Sequence, residues 1–231
     1  MSTRVVVVTG ATGGIGGALA AAFADTSLVL LGRDPTRLAA LAEQHPRARV
    51  VACDLADAAG CAAAVTGALD PSEQVDVLVH NAGVAPFGPV ADTDAATWTD
   101  TLAVNVTAPA VLTAALLSRL RAARGHVVFI GSGQSLSAAR RLGAYAASKF
   151  ALRALADALR AEERAAGVRV TSVYPGQTAT PMQEDLQRSL GRPYRAEEHI
   201  DPATLAAAVR FVVDGPRDAE LTELTVRPGL R

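Results

Sequence analysis

Four valines in a row, Val5-Val6-Val7-Val8, cannot form a strand with one wet face. Successive side chains of a strand point to opposite faces, so an unbroken apolar run must be covered on both sides. Such runs belong to parallel sheets flanked by helices on both faces. Strand-like runs fall at 4–9, 27–32, 48–53, 75–80, 125–131, 168–174 and 221–227. Ala/Leu-rich stretches near 14–25, 35–45, 57–69, 95–123, 143–166 and 202–213 read as the helices between them. Asp34-Pro35 and Asp201-Pro202 each set a capping acid before a proline at the first helical position. The alternation predicts an α/β fold, a doubly wound parallel sheet of about seven strands. No linker or repeat interrupts it, so residues 1–231 are expected to form one domain. The least regular stretch, about 176–200, holds Gly176, Pro181, Gly191 and Pro193. Ligands of such sheets bind beyond the carboxyl ends of the strands, so this stretch is expected to be an irregular substrate lid.

Half of the residues are hydrophobic and few are aromatic, so the core must be mostly Ala, Val and Leu. A chain of this size buries such a core without disulfides or metals. Twenty-two basic against twenty-three acidic residues leave no electrostatic footprint for nucleic acid or an anionic membrane. Cys53 and Cys61 form no metal motif and are expected to be buried thiols. His45, His80, His126 and His199 lack ligand spacing, so no metal is expected. Arg4 and the uncharged stretch ending Ala21-Ala22-Phe23-Ala24 mimic a signal peptide. Five glycines between positions 10 and 17 break that run, which a secretory apolar block does not tolerate. The segment reads as the first strand and helix. No run is read as a membrane span, and a cytoplasmic location is expected.

Three short motifs carry chemistry. The first strand ends in Thr9-Gly10-Ala11-Thr12-Gly13-Gly14-Ile15-Gly16. A glycine-rich turn between strand and helix lets the backbone approach a pyrophosphate, which the helix N-terminus then favours. A plain tight turn is the bland alternative. Asn81-Ala82-Gly83 follows the fourth strand. Lys149 is the only lysine beside twenty-one arginines and lies four residues after Tyr145. Residues i and i+4 share a helix face, so phenol and ammonium should project together. A fixed cation should draw the phenol from about 10 toward neutrality, making a usable acid or base.

Together these motifs resemble the short-chain dehydrogenase/reductase family in its single-domain branch. The resemblance runs from the first strand to Pro175-Gly176 and Thr180, and Asn105, Ser132, Tyr145 and Lys149 match the family's catalytic tetrad in order and separation. It implies that Tyr145 passes a proton to a carbonyl oxygen, or takes one from an alcohol. It implies that Ser132 polarises the same oxygen, that Lys149 holds the nicotinamide ribose, and that Asn105 holds a water linking Lys149 to solvent. An asparagine inside a helix is unfavourable by propensity, which adds weight to Asn105. Gly10, Thr12, Gly13, Gly14, Ile15 and Gly16 would cradle the cofactor. Asp54 and Leu55 would meet its adenine, Asn81, Ala82 and Gly83 would line its path, and Pro175, Gly176, Thr178 and Thr180 would face its nicotinamide. His80 stands where the family often has Asn and is expected to pack at the strand end. Thr178 stands where Val or Ile is common.

Cofactor choice turns on Leu30-Leu31-Gly32-Arg33. NAD-binding members of the resembled family usually carry an Asp at the position of Gly32. Arg33 suits a 2′-phosphate, with Arg37 one turn into the next helix to assist, which implies NADP(H). In the alternative, Asp34 reaches the ribose and the cofactor is NAD, although Asp34-Pro35 reads as a helix cap. The expected activity is reduction of a ketone or aldehyde to an alcohol, or the reverse. An extended-branch epimerase is disfavoured because only about twenty residues follow the helix beginning at Pro202. A non-catalytic dinucleotide sensor is disfavoured because Ser132, Tyr145 and Lys149 are all present. Substrate contacts are expected from Gln134, Phe87, Gln177 and Met182, beside Ser132 and Tyr145, with Pro86, Leu136 and Leu142 as further wall candidates. Arg140 and Arg141 could hold an anion but read more simply as a solvated loop. Pairing of the long helices 95–123 and 143–166 would give a homodimer or homotetramer.

Overall fold

The computed structural model describes residues 4–229; the ends of the expected 1–231 span lie outside the described residues. The strands are β1 (Val5–Thr9), β2 (Ser27–Gly32), β3 (Ala48–Ala52), β4 (Val77–His80), β5 (His126–Ile130), β6 (Arg169–Pro175) and β7 (Glu223–Val226). All pair in parallel in one sheet, ordered β3-β2-β1-β4-β5-β6-β7. The order reverses between β1 and β4, which opens a crevice at their carboxyl ends.

The valine run is buried on both faces, as its composition demands. Val5 and Val7 join Val29, Leu31, Leu78, Val127 and Phe129 on one side. That side is covered by Cys61 and Val65 of α3 (Ala58–Gly67), Leu112, Leu116 and Leu120 of α5 (Ala108–Ala123), and Leu152 and Leu159 of α6 (Gly143–Glu163). Val6 and Val8 face the other way, onto Leu19 of α1 (Gly14–Ala22), Leu38 of α2 (Pro35–Gln44), and Leu205 and Val209 of α8 (Pro202–Asp214). Each fully buried valine or leucine stabilises the fold by about 1.5–3 kcal/mol.

Three expectations need correction. The long helix 95–123 is α4 (Ala95–Leu102) and α5 joined by a π-turn, Ala103–Thr107, centred on Asn105. The stretch 176–200 is not irregular throughout. It carries α7 (Pro181–Ser189), capped by Thr180 and started by Pro181. Its base is closed by Ala179 N–H donating to Ile200 O and Ile200 N–H donating to Gln177 O. Finally, the combined helix Ala95–Ala123 is long and apolar enough to cross a membrane, although no such run was expected. Its apolar side lies against the sheet through Leu112, Leu116 and Leu120.

Candidate active site

One cleft of about 1190 Å³ runs along the carboxyl ends of the strands. Its nucleotide half begins at the turn after β1. Gly10 has φ +65°, and a Cβ there would stand 2.8 Å from Ala82 Cα. A Cβ on Gly16 would stand 2.1 Å from Gly10 O, so the helix can start this close to the turn only with glycine. The first turn of α1 has no capping side chain, as is also true of α5 and α6, whereas Asp34, Asp57, Asp94, Thr180 and Asp201 cap α2, α3, α4, α7 and α8. Gly13, Gly14 and Ile15 border the cleft there. The free N–H groups and positive end of α1 therefore fit an anionic phosphate.

Asn81 holds this turn in place. Its Nδ2 donates to Thr9 O and Gly10 O, at 3.0 and 3.1 Å, and the Asn81 and Ala82 N–H groups donate to Thr9 Oγ1. Next door, His80 packs against Phe129 at 4.9 Å and pairs with Thr113 Oγ1 at 2.8 Å. Burial drops its pKa to about 3. At the far end the cleft is bordered by Gly32, Arg33, Asp34, Arg37, Cys53, Asp54 and Leu55. Asp34 Oδ1 accepts from Thr36 N and Arg37 N, so it is engaged as the cap of α2. Arg37 donates to Thr12 O at 2.7 Å, while Arg33 is exposed with no side-chain partner among the described residues. Asp54 Oδ1 accepts from Ala56 N. Cys61 is buried as expected. Cys53 is only half-buried and borders the cleft, because β3 is next to solvent at the sheet edge.

The deep middle holds Ser132, Tyr145 and Lys149. Ser132 follows β5, and its Oγ accepts from Gln134 N. Tyr145 and Lys149 lie one turn apart on α6. Lys149 is buried, and its Nζ donates to Ile130 O at 3.0 Å. The Nζ stands 5.8 Å from the Tyr145 ring centroid. The expected fall in the Tyr145 pKa is not found. Burial pushes the phenol above its usual value, and the Ser132 hydroxyl pulls the other way. Burial also lowers Lys149 to about 8. Desolvation of two neighbouring groups favours both neutral forms and outweighs the cation's influence on the phenol.

Asn105 does not border the cleft. It is fully buried; its Oδ1 accepts from Val84 N, and its Nδ2 donates to Val84 O and Ser148 Oγ, all at 2.9 Å. Its side chain thus ties the loop following Gly83 to α6, the helix that carries Tyr145 and Lys149. A π-turn commonly marks a functional site in a helix. Asn105 is a positioning residue by its side chain.

Phe87, Gln134, Leu142, Gln177 and Met182 border the remaining half of the cleft, as do Pro175, Gly176, Thr178 and Thr180. Pro86 and Leu136 do not. Phe87 lies under the Arg141 guanidinium at 4.5 Å, and Gln134 Oε1 accepts from Ala139 N. Thr178 is buried, with its Oγ1 donating to Gly176 O. Thr180 Oγ1 donates to Thr178 O and accepts from Gln183 N. A Cβ on Gly14 would come within 3.0 Å of the Thr180 methyl, so the base of α7 rests on the glycine-rich turn. Leu186, Leu190 and Arg192 also border the cleft and were not expected. The readable signal was Thr180-Pro181 followed by apolar residues at 182, 186 and 190, a helix cap and a single helical face.

The chain matches the family model for short chain dehydrogenase over residues 4–191. It is 31% identical to an uncharacterized oxidoreductase of Staphylococcus saprophyticus, over 99% of this chain and 98% of that one. Among solved structures it is similar to a metagenomic short-chain oxidoreductase in complex with NADP, with a TM-score of 0.85 and 34% identity covering 99% of each chain. It is also similar to the 3-ketoacyl-(acyl-carrier-protein) reductase of Brucella melitensis complexed with NADH, with a TM-score of 0.86 and 25% identity. That alignment covers 99% of this chain and 98% of the other. With that match over most of its length, and with the glycine-rich turn and the sheet order described above, the chain belongs to the short-chain dehydrogenase family.

Proposed function

We propose that the protein is an NADP(H)-dependent oxidoreductase that reduces a ketone or aldehyde to an alcohol, or runs the reverse reaction. One observation carries this reading: Ser132, Tyr145 and Lys149 border the same cleft as the uncapped start of α1 and the free Arg33. When bound, the nicotinamide cofactor supplies or accepts the hydride. The Tyr145 hydroxyl gives the proton to the carbonyl oxygen, and the Ser132 hydroxyl hydrogen-bonds that oxygen and polarises it. A phenol kept neutral by burial is ready to donate in the reductive direction. Lys149 supplies a buried donor one helical turn away, suited to ribose hydroxyls and to recharging the phenol. Gly13, Gly14 and Ile15 would hold the pyrophosphate, Asp54 and Leu55 the adenine end, and Arg33 the 2′-phosphate.

The bound NADP of a 34%-identical structure supports the phosphate reading, and NADH in another keeps NAD as the competitor. Asp34 is a poor ribose ligand while it caps α2. The proposal extends to a cytoplasmic location and a homo-oligomeric state. Exposed Leu102 and Phe150 on the two long helices favour their pairing in a dimer or tetramer. The test is oxidation of NADPH and of NADH with a panel of ketones, aldehydes and quinones. NADPH-dependent turnover that Tyr145→Phe abolishes is expected. Turnover unaffected by that substitution would sink the reading.

A further inference from the structure

We propose that the substrate is an amphipathic carbonyl compound, with an apolar body and an anionic group, carboxylate or phosphate, at the end remote from the carbonyl. This rests on the oxidoreductase reading and deepens it. The apolar body is called for by α7. Met182, Leu186 and Leu190 recur every fourth residue, so they form one stripe, and all three border the cleft. Glu184 and Asp185 are exposed on the outer side, and each pairs with the exposed Arg188. Met182 and Leu190 nonetheless remain 43% and 37% exposed, an apolar wall with room for a partner. Phe87 and Leu142 supply apolar surface from other segments of the same cleft.

The anionic end is called for by two arginines. Arg140, from the loop after β5, and Arg192, just beyond α7, both border this half of the cleft. Neither has a side-chain hydrogen bond or ion pair among the described residues. Their neighbours are all engaged: Arg141 over Phe87, Arg188 with Glu184 and Asp185, and Arg195 with Glu198. Among the described residues, the only carboxylates bordering the cleft are Asp34 and Asp54, both at the adenine end. No acid therefore competes for the two guanidiniums. Two unpaired cations beside an apolar wall would attract a bound anion and leave a neutral chain end without a polar partner.

The experiment uses a medium-chain ω-oxo carboxylate, its methyl ester and the matching ω-oxoalkyl phosphate, each with NADPH. The wild-type enzyme should show kcat/KM for at least one anionic form about tenfold above the ester. The better of the two identifies carboxylate or phosphate as the natural end. Arg140→Gln and Arg192→Gln should each raise KM for that anion about tenfold. They should leave kcat and the ester kinetics within about twofold. High salt should raise KM for the anion alone. Both arginines are exposed, so folding should survive, and a thermal melt checks it. An ester turned over as well as both anions, or arginine variants that lower ester and anion turnover equally, would overturn this inference and leave the oxidoreductase standing. No NADPH-dependent turnover of any of the three, nor of the wider carbonyl panel, would bring down both.

Discussion

At the residue scale the most telling side chain is Lys149, whose charge the fold holds in a poor place for it. Unfolded, a lysine keeps its proton to about 10.5; here burial lowers that to about 8. Between those values the unfolded chain binds the extra proton, so stability rises with pH there, and below pH 8 the full penalty stands. A shift of this size corresponds to about 3 kcal/mol. Losing the hydrogen bond to Ile130 O would cost about 1 kcal/mol. Lys149→Met should therefore stabilise the cofactor-free protein by about 2 kcal/mol at pH 7, with the gain gone near pH 10.5. Urea unfolding at the two pH values checks it. The same substitution should abolish turnover. Lys149→Arg should fail as well, since a planar fork cannot replace a compact ammonium. At Arg33, replacement by Ala should weaken NADPH binding about tenfold to a hundredfold and leave NADH nearly unchanged. Adding Gly32→Asp should invert the preference, read by titration with both reduced cofactors. A Cβ at Gly32 would lie 3.3 Å from Thr12 and Leu38, so those side chains must give slightly and some affinity for both cofactors will be lost.

Elements differ in how openly their sequences declare them. Strands β1 and β2 and helices α2 and α8 were legible because burial on both faces and Asp-Pro caps leave local marks. The π-turn was not. Its one local mark is Pro109, which has no N–H for Asn105 O four residues back and crowds that carbonyl, but a proline alone does not tell a π-turn from a kink; the rest is tertiary, since Asn105 must reach Val84 and Ser148 together. Asn105→Ala would orphan Val84 N and Val84 O and take a donor from Ser148 Oγ, which keeps its bond to Tyr145 O, and should cost roughly 2–4 kcal/mol. Turnover should fall with it, because Tyr145 and Lys149 ride on the helix that Asn105 steadies. Unfolding curves and kcat measured on one preparation would show both losses. Helix α7 was hidden by its polar outer face and by Gly191 and Pro193 just beyond it, which together look like loop. Its cap was nevertheless written in Thr180-Pro181. The Tyr145 pKa was misjudged for a different reason: spacing reveals which groups are neighbours but not how dry their surroundings are.

On the scale of the whole molecule, the expected catalytic and cofactor residues other than Asn105 and Gly16 border one rim of the sheet, fed by the ends of six strands. Much of that was legible, since a doubly wound sheet has only one rim with a crevice. The walls of the substrate half were less so, because they come from segments far apart in the chain. A ligand joining six strand ends should stabilise the entire fold. At a concentration of about a hundred times its Kd, NADPH should add about 2.7 kcal/mol, and NADH at the same concentration should add less. Thermal melts in each cofactor would show it. The contact between Gly14 and Thr180 carries a kinetic consequence. Helix α7 stands with its base on the turn that would cradle the pyrophosphate and its apolar stripe toward the substrate. A substrate lodged beneath α7 would then close the way by which the dinucleotide came and goes. Turnover should follow a compulsory sequence, with the nucleotide arriving first and leaving last. Product-inhibition patterns in which the oxidised nucleotide competes only against the reduced one would display that sequence.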